Sequence, residues 1–311
     1  MNGQGDDRGA PVQVQEGEYA SISCRVRGRR AQARQAAQGI PNERERLGML
    51  LYAAELDGAW AEVDSLGLAW ERAYLGEYGR AATSGTWRPT LHLVRGEVRA
   101  AQAETEQSSG SKLPLLYELA TGSPVTRADT SWAGAFETAL AGDTTAARAS
   151  LPGLTADSLD YRVQSGYWPA AIEAAIAAQR GDWRAVVQHT GPLLRDRPAL
   201  SFIIGPGVRW LTAHAYERLD RLDSAVVLLG QLVEPGRLDA PSLSSFPYGA
   251  AHSYLQQHLI VLLARMGRVD EARRHWAVFR ATFTNPDPEV AHLVDEARAA
   301  LEAAEAKARG R

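Results

Sequence analysis

One short turn recurs six times along the chain, and this repetition constrains the fold more than any other feature of the sequence. Each copy is a glycine or an aspartate, usually followed by a polar residue, between two alanine-rich apolar stretches. A glycine in the left-handed conformation ends one helix and lets the next begin almost at once. The six anchor residues lie 38 to 47 residues apart: Gly58, Gly96, Gly142, Gly181, Asp220 and Gly267. This period predicts a stack of helical hairpins.

Residues at fixed distances after the anchors have the pattern expected of paired antiparallel helices. Five residues after each anchor the chain has an apolar and mostly small residue: Val63, Ala101, Ala147, Val186, Ala225 and Ala272. Twelve residues after each anchor it has Trp70, Ser108, Leu154, Leu193, Leu232 and Phe279. A small residue just past a tight turn lets two helices approach closely, and a large one two turns later fills the space between them.

The first forty residues do not share this pattern. Ala20, Ile22, Cys24 and Val26 alternate with polar residues, which is a strand period, yet no set of short strands follows. We therefore expect residues 1–40 to form a poorly ordered leader and residues 41–311 to form one helical-repeat domain.

The last part of the chain predicts a helix that caps the stack. Pro288 suits a first helical position, and Asp287 is expected to cap the N-terminus of that helix. One face of the helix carries an apolar stripe and the other is charged, as a terminal cap requires. The stripe consists of Val290, Leu293, Val294, Ala297 and Leu301.

Composition excludes several classes of protein. Of the 311 residues, 45% are hydrophobic and 23% are charged, so the chain is not disordered throughout. The net charge of −3 argues against a dedicated nucleic-acid surface. Cys24 is the only cysteine, which excludes an intrachain disulfide. Because no apolar run approaches the ~20 residues of a membrane span and the polar start does not resemble a signal peptide, we expect no membrane insertion and a cytoplasmic location.

The residues that usually carry catalysis form no recognisable motif. None of the seven histidines belongs to a His-Glu-x-x-His sequence, and the chain has no Gly-x-Ser-x-Gly elbow. Gly205-Pro-Gly207 is too short and too interrupted by proline to hold a phosphate group. We therefore expect a protein that is not an enzyme and that has no catalytic residues, no metal site and no cofactor.

The segment from Val208 to Pro235 resembles a tetratricopeptide (TPR) repeat. Ala213, Tyr216, Asp220 and Ala225 have the spacing that this family requires, and Leu229, Leu232 and Pro235 follow. The resemblance is good for residues 168–285 and fair for 42–167, although the periods exceed the usual 34 residues of the family. It implies an all-α, right-handed superhelical solenoid of about six TPR-like hairpins with a C-terminal capping helix.

The resemblance also implies two kinds of function. The first is a non-enzymatic scaffold that binds a protein or peptide on its concave face. The second follows from the run between Trp276 and Glu289, which is similar to the last repeat of TPR arms in bacterial serine/threonine kinases and transcriptional regulators. Such an arm would be regulatory or sensory and would bind a small ligand or an effector domain. No kinase motif accompanies the run.

Aromatic residues recur at matching distances before the anchors and predict the binding surface. Trp132 and Trp210 lie ten residues before their anchors, and Trp168 and Tyr254 lie thirteen before theirs. In a TPR-like hairpin these positions lie on the first helix and face the concave side. Partly exposed aromatic residues are what a peptide-binding surface needs. The predicted groove consists of Trp132, Phe136, Trp168, Trp210, His214, Glu217, Tyr254 and Gln257.

Overall fold

The structure is a computed structural model that describes residues 30–57, 59–79, 87–109, 117–118, 121, 132–154, 167–195, 204–233 and 246–310. The described residues are helical and contain no strand. The helices are α1 (Arg30–Gln38), α2 (Glu43–Asp57), α3 (Trp60–Tyr78), α4 (Trp87–Arg95), α5 (Val98–Ser109), α6 (Trp132–Leu140), α7 (Thr144–Leu154), α8 (Tyr167–Gln179), α9 (Trp183–Arg195), α10 (Ile204–Arg218), α11 (Leu222–Val233), α12 (Phe246–Arg265), α13 (Val269–Thr282) and α14 (Pro288–Arg309).

The helices pack in neighbouring pairs, which confirms the predicted all-α fold for the described residues. Six hairpins form between α2 and α3, α4 and α5, α6 and α7, α8 and α9, α10 and α11, and α12 and α13 among these residues. The final helix α14 packs on α12 and α13 through four buried residues of the predicted stripe: Val290, Val294, Ala297 and Leu301. It therefore covers the end of the last hairpin.

The anchor residues adopt the predicted left-handed conformation. Positive φ angles occur at Gly96, Gly142, Gly181, Asp220 and Gly267, whereas Gly58 lies outside the described residues. All five turns share one hydrogen-bond pattern. In the third of them, Gly181 N–H donates to Ala178 O at 2.9 Å and Asp182 N–H donates to Ala177 O at 3.0 Å. This pair of bonds satisfies carbonyls that the end of a helix would otherwise leave open.

The predicted helix register is also correct at the close contacts. All six positions that follow the anchors by five residues have a relative exposure of 0%. Of the positions twelve residues after the anchors, Leu193, Leu232 and Phe279 are buried and Trp70 is half-buried. The side chains of Ser108 and Leu154 lie outside the described set. The small residues thus lie where two helix backbones approach each other.

The hairpins do not pack only on their neighbours in sequence. From α6 to α13 the order follows the chain, because α6 packs on α8, α9 on α10, and α11 on α12. The second hairpin departs from this order, since α4 packs on α12. The first hairpin is attached to the second through the contact of α3 with α4. The predicted packing of each hairpin on its neighbours in sequence therefore applies to α6 to α14. The two N-terminal hairpins instead join the stack beside its C-terminal end, through α4.

We use the name closure seam for one contact between distant parts of the chain. On one side lie α4 and the turn after it, and on the other lie α12 and residues 283–287. Its apolar part places Leu93 in one cluster with Tyr254 and Phe283. Its polar part begins with Ser253, whose Oγ donates to the carbonyl of Val94 at 2.6 Å. Ser253 is fully buried, so this bond satisfies a hydroxyl that has no access to water.

Backbone groups of the loop between α13 and α14 complete the closure seam. Asn285 N–H donates to Arg95 O at 3.0 Å, and Asp287 N–H donates to Gly96 O at 2.9 Å. Asp287 does not cap α14 with its side chain. Its Oδ2 instead accepts the N–H of Arg99, in the first turn of α5, at 2.9 Å. The predicted cap thus stabilises a helix of another hairpin.

Helical structure begins before the predicted domain boundary at residue 41. Helix α1 packs on α2, and Ala37 and Ile40 are buried with Met49 in a small cluster. Arg34 pairs with Glu62 of α3 at 2.6 Å. Helix α1 therefore belongs to the helical packing, because its apolar residues find partners on α2. The strand-like run around Cys24 lies outside the described residues.

Candidate functional site

The eight residues of the predicted groove fall into three groups in the structure. Trp132 begins α6, but its side chain lies outside the described set. Four side chains are buried: Phe136, Trp168, Tyr254 and Gln257. Three are half-buried and lie close together on α10: Trp210, His214 and Glu217. Whether the set binds a partner stays a prediction, but only the last group offers an accessible surface among the described side chains.

The buried members contact other helices. Phe136 packs against the first turn of α10, where a Cβ placed on Gly207 would lie 3.0 Å from its Cε1. Trp168 belongs to the same cluster as Phe136. The ring of Tyr254 lies between Tyr117, at a centroid distance of 4.9 Å, and Phe283, at 5.7 Å. These rings therefore hold hairpins together.

Gln257 is the buried polar member of the predicted groove. Its Nε2 donates to Glu296 Oε2 of α14 at 3.2 Å. The amide thus links α12 to the final helix, and one of its two N–H groups is already used within the chain.

The accessible rings form a platform that joins two hairpins. Trp210 and His214, one turn apart on α10, are stacked with a centroid distance of 5.6 Å and an interplanar angle of 2°. Trp183, the first residue of α9, meets His214 edge-on at 5.2 Å. All three side chains are half-buried, so each retains some contact with solvent. The Trp210 patch, as used below, consists of Trp183, Trp210, His214, Glu217, Arg218, His258 and Arg265.

Glu217 carries the negative charge of the Trp210 patch. His258 Nε2 donates to its Oε2 at 2.9 Å, and Arg265 Nη1 donates to its Oε1 at 2.9 Å. The hydrogen bond from His258 is the main reason why the pKa of Glu217 falls to about 2, and the charge of Arg265 adds to this effect. The carboxylate is therefore ionised at neutral pH, and both of its oxygens have partners on α12.

Arg218 carries a positive charge over the aromatic platform. Its Cζ lies 5.8 Å from the centroid of the Trp183 ring, a cation–π distance. Its Nε donates to His214 Nε2 at 3.5 Å. Burial lowers the pKa of His214, and the charge of Arg218 lowers that pKa further. A neutral imidazole fits this arrangement, because Nε2 must keep its lone pair to accept the bond from Arg218.

Sequence reasoning missed four members of the patch: Trp183, Arg218, His258 and Arg265. Trp183 begins the second helix of its hairpin, whereas all residues of the predicted groove lie on first helices. A signal for the arginines was present, since Arg218 and Arg265 both lie two residues before their anchors. Equal offsets on adjacent hairpins predict neighbouring positions at the same edge of a stack.

Two features are absent from the described part of the chain: a metal-ligand cluster and a membrane-spanning helix. No three His, Cys, Asp or Glu side chains in these ranges are grouped to hold a metal ion. No described helix combines the length and the apolar character that crossing a membrane requires.

A comparison of the chain with protein-family models, with curated proteins and with solved structures found no match in any of the three. The resemblance to TPR proteins therefore depends on the residues quoted above and stays a prediction.

Proposed function

We propose that this protein is a TPR-like helical-repeat scaffold, without enzymatic activity, that holds a protein or peptide segment on the concave face of a right-handed superhelical stack. The observation that carries the proposal is the half-buried platform of Trp183, Trp210 and His214, placed where two hairpins meet. Aromatic residues with one accessible side supply large contact areas at low entropic cost, which is why they dominate peptide-binding surfaces.

The charged residues beside the platform support the same function. Glu217, Arg218 and Arg265 surround the rings with groups that can donate and accept hydrogen bonds. A binding surface commonly has an apolar centre and a polar rim, because the rim orients the partner while the centre supplies most of the affinity. Glu217 of α10 also bonds to His258 and Arg265 of α12. These two bonds fix α10 against α12, so the platform is held in place before a partner arrives.

The test is a selection from a random dodecapeptide display library on the full chain, followed by affinity measurements on the selected peptides. Replacing Trp210 by Ala should weaken the binding of these peptides by about 2 kcal/mol. Trp276 is the matched control, because it is also a half-buried tryptophan of a helical hairpin but lies outside the Trp210 patch. Trp276→Ala should leave peptide affinity unchanged.

Thermal unfolding of both variants separates binding from folding. If Trp210→Ala binds as tightly as the wild-type chain, the patch is not the binding surface. If both variants lose affinity in proportion to their loss of stability, the tryptophans are structural and the proposal is wrong.

A further inference from the structure

We infer that the Trp210 patch selects acidic peptide segments, in which a carboxylate side chain pairs with Arg218 while a neighbouring apolar or aromatic side chain packs on Trp210. This inference rests on the proposed function and adds the chemistry of the partner. It follows from the distribution of charge in the patch, from the position of the Arg218 guanidinium, and from the shape of the ring platform.

The charges of the patch do not cancel. Glu217 is the only carboxylate among its seven residues, and it is already paired with His258 and Arg265. Arg218 is exposed, and its contacts in the described part of the chain are with the rings of Trp183 and His214. A positive charge therefore remains without an anionic partner at the edge of the platform. An acidic ligand would satisfy it, whereas a basic ligand would be repelled.

Arg218 differs in this respect from three arginines that follow it along the chain. Arg265, the last residue of α12, pairs with Glu217. Arg268, in the turn that follows, pairs with Glu271. Arg273 of α13 binds Glu305 of α14. Arg221, over the ring of Tyr216 at 4.6 Å, and Arg280, over the ring of Trp276 at 5.7 Å, also lie on aromatic rings. Arg218 is distinguished from them by its contacts with the rings of Trp183 and His214 in the patch.

The stacked position of Arg218 prepares it to bind a carboxylate. Because Nε of Arg218 donates to His214, its two Nη groups remain for a ligand, and their planar edge matches the two oxygens of a carboxylate. The adjacent rings exclude water from one side, so the pair forms in a less polar environment than at an open surface. His214 lies between Arg218 and Trp210: its Nε2 accepts the bond from Arg218, and its ring stacks on Trp210 at a centroid distance of 5.6 Å. A single short segment can therefore reach both groups.

The test uses the dodecapeptides selected from the library at low salt, which are sequenced and then measured one by one. We expect enrichment of Asp and Glu next to aromatic or aliphatic residues. Arg218→Glu should weaken the selected peptides by at least about tenfold, because the charge facing the carboxylate is reversed. Arg280→Glu is the charge-matched control: Arg280 is also exposed and lies over Trp276 at 5.7 Å. This variant should change the affinity by less than about twofold, since the exposed charge lies outside the patch.

The outcomes separate this inference from the proposed function. Selected peptides that depend on Trp210 but are neutral or basic overturn the inference and leave the scaffold function standing. Acidic peptides that lose equal affinity with Arg218→Glu and Arg280→Glu overturn it as well, because they respond only to net charge. If no selected peptide depends on Trp210, both the inference and the proposed function are wrong.

Discussion

Replacing Gly96 by Ala tests whether the second hairpin really docks beside the C-terminal end of the stack. Gly96 has a φ of +87°, and a Cβ placed on it would lie 2.8 Å from Cε2 and Cζ of Phe283 and 2.8 Å from Cα of Pro286. Both of those residues belong to the closure seam, nearly two hundred positions away in sequence. The backbone of Pro286 cannot move aside as the end of a flexible side chain can, so the added methyl group must push the two segments apart.

Gly181 provides the matched control, because it has a φ of +71° and a Cβ there would meet nothing within 4 Å. Gly181→Ala should therefore cost only the left-handed strain, about 1–2 kcal/mol of unfolding free energy. Gly96→Ala should cost that strain and, in addition, about 1–3 kcal/mol for overpacking. The difference between the two variants isolates the contact of Gly96 with Phe283 and Pro286.

Chemical unfolding gives the stability difference, and hydrogen exchange locates it. In Gly96→Ala, residues 93–101 and residues 283–290 should exchange faster together, because both lose the bonds that Asn285 and Asp287 donate across the closure seam. In Gly181→Ala neither segment should change. Equal costs for the two variants, or faster exchange confined to residues 93–101, would refute the closure seam.

Two further predictions concern pH and core packing. Burial lowers the pKa of His252, whose Nε2 donates to Val233 O, from 6.5 to about 4. The unfolded chain therefore takes up this proton first as the pH falls, and stability is lost between pH 6.5 and 4. We expect about 2 kcal/mol less unfolding free energy at pH 5 than at pH 7.5 and a flatter profile in His252→Gln; parallel profiles would contradict this. Ala272 is fully buried and Ala277 is exposed on the same helix, so Ala272→Leu should cost about 1–3 kcal/mol and Ala277→Leu almost nothing in thermal unfolding. Equal midpoints would show that the register of α13 is wrong.

The hairpins could be predicted because their signals are local. A left-handed residue such as Gly181 ends a helix through hydrogen bonds to carbonyls only three and five residues back. The helix that follows then places Val186 against its partner helix, and the short turn leaves no other arrangement. The turns and the small residues after them were therefore readable from the sequence without knowledge of the rest of the chain.

The predicted groove depended on a stronger assumption, namely that equal offsets give equal exposure. That holds only if every hairpin has the same neighbours. Trp168 and Tyr254 share one offset, but the first packs in a cluster with Phe136 while the second is enclosed by Tyr117 and Phe283. Trp210 and Gln257 both lie ten residues before the anchor of their hairpin. Trp210 is half-buried, whereas Gln257 is buried beside α14. Exposure was therefore decided by what else packs on each helix.

The sequence by itself determined the helices, their pairing into hairpins and the residues at each tight contact, because each of these depends on atoms a few residues apart. Only the tertiary structure decided that α4 lies on α12, that Asp287 caps α5, and that Trp183, Arg218 and Arg265 meet around one surface. These contacts join hairpins through the shape of the whole stack, and helical periodicity specifies which face of a helix is apolar but not which distant helix covers it.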